Sequence, residues 1–338
     1  MKFWLDMSTP KEVMFFNVIR KELLRRGHEL IITTRHYRET NDLLNYFGID
    51  AAIIGRHGIS REDKLQAGLE RMQKLLSHVK HDNIWGLVTL ANPEACRVAF
   101  GLGIPVFNFI DILESEIVCK LTLPLSKIVF IPFHVPRWKL FRYYSGDTYI
   151  YDCLDPVAWM PKEPAPIDEV GLDEKYFDNG QLRRPFIVYR AAETRASYFK
   201  EYGDITPQVI EELKKLMPNA TYYPIPRYNV HRMIDLQSLL AHADLFVGGG
   251  GTITEEATWW GTWCVTCRPF KTTYDQWLIA NDLLFAITEP IQGAIKCRQL
   301  LTFEGKNSAA EKLRSQNFPV AAICDMLENR QVRFEAKQ

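Results

Sequence analysis

Ala-His-Ala-Asp-Leu-Phe-Val-Gly-Gly-Gly-Gly-Thr-Ile-Thr-Glu-Glu-Ala-Thr-Trp-Trp-Gly-Thr-Trp-Cys-Val-Thr-Cys, residues 241–267, reads as strand, glycine turn, helix, turn and strand. Leu245 to Val247 is a short apolar run of strand type, and Gly248 to Gly251 then removes every side chain. Thr252 with Glu255 has capping-box spacing, which predicts a helix start here. Gly261 ends the helix, and Trp263 to Thr266 forms the next buried strand. Backbone amides at a helix start point outward unpaired and favour an anion. Glycines let a phosphate come close to them. On this reading Gly249, Gly250, Gly251 and Thr252 cradle phosphate, and Glu255 is used by the cap. Glu256 lies about 100° round the helix, and as a carboxylate it only accepts hydrogen bonds, which suits the hydroxyls of a ribose. The alternative is a tight strand-to-helix turn with a solvated glutamate pair.

The spacing is not the dinucleotide fingerprint G-x-G-x-x-G. Gly-Gly followed within a turn by Glu-Glu-Ala, then a small-residue turn into a strand, instead resembles the nucleotide-sugar site of UDP-N-acetylglucosamine 2-epimerases and GT-B glycosyltransferases. In those families the glutamate five residues before the next glycine holds the ribose. That position here is Glu256, five before Gly261.

Further stretches resemble one uncharacterised microbial family, a domain of unknown function similar to both groups. They are Asp-Met-Ser-Thr-Pro at 6–10 with Phe15-Phe16, Arg-Gly-His-Glu at 26–29 and Thr-Thr-Arg at 33–35. Lys-Leu-Thr-Leu-Pro-Leu at 120–125, Arg-Ala-Ser-Tyr-Phe at 195–199 and Pro-Arg-Tyr at 226–228 follow. Their order along nearly the whole chain carries the resemblance. It implies an α/β fold of two Rossmann-like domains facing a cleft, as in GT-B proteins.

Composition agrees with a globular protein. The chain has 338 residues, enough for two domains, with 41 basic and 41 acidic side chains. Zero formal charge gives no support to general nucleic-acid binding. No apolar run is long enough to span a bilayer, and the N-terminus reads as a strand. Seven scattered cysteines fit a reducing cytoplasm. Cys264 and Cys267 form a lone C-x-x-C inside a predicted strand, so no metal site and no cofactor are expected.

Alternation of strand and helix runs through both halves and predicts parallel sheets covered on both faces. Strands are expected at 2–6, 29–34, 51–54, 84–90, 105–110 and 128–131. In the second half they are expected at 186–189, 221–224, 245–247 and 263–266. Helices are expected from Pro10 to about Arg26, over 37–47 and 61–78, and from Pro93. Later helices are expected at 206–217, 235–242, 276–285, 309–313 and 319–329. The domains are therefore 1–160, on the acceptor side, and 186–318, on the nucleotide-sugar side. Residues 161–185, rich in Pro and charge, read as a linker, and the resemblance implies that a C-terminal helix in 319–338 crosses back.

Candidate chemistry lies after strands, where open α/β sheets bind ligands. The family often carries histidines after Pro10, where this chain has Glu12 and Met14. Asp6 and Glu12 remain proton acceptors, Asp6 with the alternative of satisfying turn amides. Asp111 and Glu114, with Glu116, follow the strand 105–110, and Asp111 is a candidate base. Their alternative is helix capping, as for Asn92. Arg190, with Arg195 and Ser197, follows the first strand of the second half and can hold phosphate bidentately. Arg227 follows the next strand at the same edge. Gln276, with Thr272, Thr273 and Asp275, occupies a loop that approaches donor phosphates and sugar in GT-B enzymes; helix capping by Thr272 or Thr273 is the alternative. Residues 117–146 carry Lys120, Lys127, Arg137, Lys139 and Arg142 and no acid, so a peripheral membrane contact is weighed against core packing with a solvated edge.

The expected activity is glycosyl transfer from a nucleotide diphosphate sugar, UDP-linked, to an unknown acceptor for which a lipid-linked one is a candidate. The alternatives are a UDP-sugar 2-epimerase and a nucleotide-sugar-binding protein without turnover.

Overall fold

The computed structural model describes residues 1–192, 203–226 and 234–329. The chain divides into two compact units, Met1–Trp159 with the stretch from Asn317 onward, and Met160–Gln316.

The first unit is built on seven parallel strands: β1 (Lys2–Asp6), β2 (Glu29–His36), β3 (Ala52–Arg56), β4 (Gly86–Thr89), β5 (Val106–Phe109), β6 (Ile128–Pro132) and β7 (Asp147–Tyr151). Their order is β3-β2-β1-β4-β5-β6-β7, so the winding reverses between β1 and β4. Phe3, Trp4 and Leu5 are fully buried, as both faces of a covered parallel sheet require. The helix Pro10–Arg25 starts where the sequence predicts, with Thr9 as its cap and Pro10 in its first turn. Phe15, Phe16, Ile19 and Leu23 on this helix pack into the core with Ile323, Cys324 and Leu327. The last three belong to the C-terminal helix Val320–Glu328. That helix is fixed on this unit by Arg26, which donates to Asp325 (2.6 Å), Glu328 (3.1 Å) and the Ala321 carbonyl (3.0 Å).

The second unit begins with a two-stranded hairpin, β8 (Phe177–Asp178) and β9 (Gln181–Leu182). Its parallel sheet comprises β10 (Phe186–Arg190), β11 (Thr221–Pro224), β12 (Leu245–Gly248), β13 (Trp263–Thr266) and β14 (Phe285–Ala286). The order β11-β10-β12-β13-β14 places the reversal between β10 and β12.

The stretch 161–185, expected as a linker, is folded onto this unit. Ala165 N–H donates to Ser238 Oγ (2.9 Å), and Asp235 N–H donates to the Val170 carbonyl (3.1 Å). The Tyr176 ring packs edge-on against Phe186 and Tyr223. Val170 and Leu172 are buried, but a single pair two residues apart is too short to establish a period, which hid this packing from the sequence. Other elements also differ from expectation. β7, β14 and the helices Glu116–Thr122 and Pro290–Leu300 were not anticipated. The helix expected at 276–285 is Thr273–Ala280. It starts earlier because Thr272 and Asp275 form a capping box, and it ends at Asn281, before Asp282 at φ 57°. Among the described residues no helix is long and apolar enough to cross a membrane.

Candidate functional site

In the second unit the strand register assembles one edge. Arg190, the last residue of β10, pairs with Gly248, the last of β12, and Gly248 pairs with Thr266 of β13. The loops leaving these three strands therefore start side by side, at the reversal of strand order where open sheets bind ligands.

Gly249 and Gly250 are required by close packing. A Cβ on Gly249 would lie 2.3 Å from the Ala192 Cβ, in the loop after β10. One on Gly250, at φ +82°, would lie 2.5 Å from Arg268 Nε. Arg268 is buried; it donates to the Gly249 carbonyl (3.1 Å) and to Asp275 Oδ2 (2.9 Å). Asp275 Oδ2 also accepts from Thr272 N–H (2.9 Å) and Oγ1 (3.0 Å). Arg268 and Asp275 thus tie the glycine turn to the next loop, and sequence reading missed both roles. A signal was present: Arg268 lies two residues past the end of β13, two strands over from Arg190.

The capping box expected from Thr252 and Glu255 does not form. The helix is Thr252–Trp259, its N-cap is Gly251 at φ 90°, and no side-chain hydrogen bond caps it. One residue of register explains this: with Gly251 as cap, Glu255 falls in the position after the one a capping box uses. The first amides of the helix have no acceptor inside it. The glutamates are not a solvated pair either. Glu255 is 6% exposed and Glu256 3%, and Glu256 Oε1 accepts from Gln237 Nε2 (3.1 Å). A carboxylate is costly to bury without hydrogen-bond donors.

Gln276 lies one residue beyond this network, exposed, donating to the Lys271 carbonyl (3.4 Å). Arg227, Arg195 and Ser197 lie outside the described residues. The backbone leading toward Arg227 is held at the same edge, since Ile225 N–H donates to the Tyr189 carbonyl (2.8 Å).

The corresponding edge of the first unit is lined by buried charge. Asp6, ending β1, accepts from Arg71 Nη2 (2.7 Å) and Thr33 Oγ1 (2.5 Å). It is thus an ion-pair partner of Arg71, where the sequence offered a proton acceptor or an acceptor of turn amides. Glu12 Oε2 accepts from Ser8 N–H (3.0 Å) and Asn92 Nδ2 (2.7 Å), and Oε1 accepts from Thr9 Oγ1 (2.9 Å). Burial outweighs these bonds and raises the Glu12 carboxyl to about 7. Asn92 also donates to the Asp6 carbonyl (3.2 Å), which joins the loops after β1 and β4 at the reversal point.

Asp111 is buried against Lys11, which also reaches Asp155 (2.9 Å). Burial alone would raise Asp111, but the adjacent ammonium holds it below the usual carboxylate range. Asp155 is raised by burial and accepts from Tyr151 Oη (2.7 Å). His134 is buried nearby and pushed down to about 4 by that burial. Sequence reading missed Lys11, His134 and Asp155; each stands just past a strand or helix boundary, β7 having gone unseen. Glu114 is half-buried, and its Oε2 has no hydrogen-bond partner among the described residues.

Cys264 and Cys267 are buried free thiols, and burial pushes the Cys267 thiol up to about 12. Among the described residues no His, Cys, Asp and Glu cluster has metal-binding geometry.

Comparison with known proteins places these features in context. A family model described as a protein of unknown function (DUF354) matches residues 1–331. An uncharacterized protein of Methanocaldococcus jannaschii is 29% identical over 306 residues, covering 82% of this chain and 85% of its own. A candidate UDP-N-acetylglucosamine 2-epimerase of Listeria monocytogenes superposes with TM-score 0.73 at 14% identity, over 99% of both chains. The UDP-N-acetylglucosamine 2-epimerase of M. jannaschii gives 0.66 at 14% identity, over 97% of this chain and 99% of its own. A spinosyn rhamnosyltransferase gives 0.63 at 14% identity, over 97% and 100%. At such identities the likeness is one of fold, an α/β fold of GT-B type with two parallel sheets.

Proposed function

The chain belongs to the DUF354 family of proteins of unknown function, and from its own residues we propose that it is a glycosyltransferase using a nucleotide diphosphate sugar, with UDP as the nucleotide. The observation that carries this reading is the uncapped helix start behind Gly249–Gly251 at the strand-order reversal, beside Arg190. Amides of Gly250, Gly251 and Thr252 and the Arg190 guanidinium suit a diphosphate, and Arg227 is assigned to the same edge. Glu256 suits the ribose hydroxyls as an acceptor, and Gln276 is assigned to the sugar side. Spinosyn rhamnosyltransferase has been solved with thymidine diphosphate and a Staphylococcus aureus relative with UDP, which supports a nucleotide ligand here.

Transfer breaks the bond between the anomeric carbon and the diphosphate oxygen and forms one to the acceptor oxygen. Stabilising the leaving diphosphate is the task of Arg190 and the helix start. The acceptor's proton needs a base, and the first unit offers Glu12, Asp111 and Glu114. Glu12, raised to about 7, is matched to neutral pH; Asp111 is paired with Lys11 and is the weaker base. The likeness to 2-epimerases favours a second reading, inversion at the sugar's second carbon.

Incubation with UDP-N-acetylglucosamine separates the readings. Acceptor-dependent release of UDP supports transfer. An epimerised sugar nucleotide without acceptor replaces it with epimerisation, and tight binding without turnover with a binding role.

A further inference from the structure

Large apolar side chains of the first unit are exposed on two short helices that the proposed chemistry does not use. Helix Glu116–Thr122 exposes Ile117 (68%) and Leu121 (54%). Helix Arg137–Leu140 and the residue after it expose Trp138 (68%) and Phe141 (54%). The inner sides of both helices share one core, which holds Cys119 and Leu140. Tyr143 and Val118 pack against the same core, so both helices stand over it. Four large apolar side chains facing water over one core make this face a candidate interaction surface.

Cations outnumber acids around the patch: Glu116 borders it and pairs with Lys120 (3.3 Å), and Lys127, Arg137, Lys139 and Arg142 supply the excess. Lys120, Lys127, Arg137, Lys139 and Arg142 fall between residues 117 and 146 with no Asp or Glu, in a chain whose formal net charge is zero. Arg137 lies over the Phe141 ring (5.5 Å), Lys139 over Trp138 (5.6 Å) and Arg142 over Tyr143 (5.8 Å). Long cationic side chains lay their stems along apolar surface in this way and keep their charged heads at its polar margin. We propose that this face docks on an anionic lipid bilayer. Ile117, Leu121, Trp138 and Phe141 enter the headgroup boundary, and the surrounding cations pair with lipid phosphates. A nucleic acid would use the cations and rings but leave Ile117 and Leu121 uncovered. A second copy would set the excess of cations against its own counterpart across a two-fold contact.

The inference is independent of nucleotide binding and is tested without nucleotide. The full chain is co-sedimented with phosphatidylcholine vesicles, with and without phosphatidylglycerol. Binding should require the anionic lipid and weaken as salt is raised. Trp138→Ser with Phe141→Ser should lower binding about tenfold, as expected for losing two buried aromatic anchors. Arg137→Gln with Arg142→Gln should remove the preference for anionic vesicles. All four side chains are exposed, so melting curves should not change. Equal binding to neutral vesicles, or equal binding by parent and both variants, overturns the proposal. So does an absence of vesicle binding accompanied by patch-dependent dimerisation or oligonucleotide binding.

Discussion

Glu12 is a carboxyl whose surroundings bring its acidity close to that of histidine. It is buried, three donors hold it, and its carboxyl rises from 4.5 to about 7. The folded chain therefore holds this proton more tightly than the unfolded chain. The stabilisation is full below about 4.5 and is lost as pH rises through about 7. The shift corresponds to about 3 kcal/mol as an upper bound. In Glu12→Gln, which keeps the size of the side chain and imitates the protonated acid, the slope of stability against pH between those values should flatten. Denaturant melts of both chains at a series of pH values measure it, and parallel curves would show that Glu12 ionises normally. Sequence marked Glu12 as a candidate but could not foresee its state, because the raising cause is burial by the assembled fold, against which the Asn92 donor, 80 residues away, acts in the lowering direction. The same limit hid Lys11 beside Asp111 and Arg71 beside Asp6. These ion pairs join residues about 100 and 65 apart, and no local pattern encodes them.

At the scale of elements, local chemistry was readable where a polar cap stood directly before a proline. Thr9 with Pro10 fixed the first helix as read. At the glycine turn two start positions competed, Gly251 and Thr252, and packing decided for Gly251. Arg268 occupies the space against Gly250 and holds the Gly249 carbonyl, so the chain must run left-handed through Gly250 and Gly251 before it can turn into the helix. At Thr272 the box forms, because Asp275 is in register and Arg268 holds it. Removal of each hydroxyl should therefore differ. Thr272→Ala should cost about 1 kcal/mol of stability, whereas Thr252→Ala should lose no cap. Thermal melts of the two variants decide this, and an equal loss would return the cap to Thr252. Short or weakly patterned elements such as β14 and the hairpin β8–β9, each strand two residues long, carry too few side chains to show a period.

For the whole molecule, alternating strands and helices led to the α/β class, and the order of motifs led to the GT-B likeness that structural comparison supports. Strand order was not legible, yet it brings Arg190 beside the glycine turn and Asn92 beside Asp6. The packing of 161–185 also lay beyond reading, since Pro and charge there conceal an irregular set of buried side chains. The nucleotide reading stands or falls with the edge formed by β10 and β12. Its most direct test is calorimetric titration of UDP and of inorganic diphosphate into the parent chain, Arg190→Ala and Glu256→Gln. The parent should bind both ligands. Arg190→Ala should weaken both by at least about tenfold, a charge-assisted hydrogen bond being worth roughly 1.5–3 kcal/mol. Glu256→Gln should weaken UDP alone, because diphosphate has no ribose. Unchanged UDP affinity in both variants, or no UDP binding by the parent, would make the glycine turn a structural element and contradict the account.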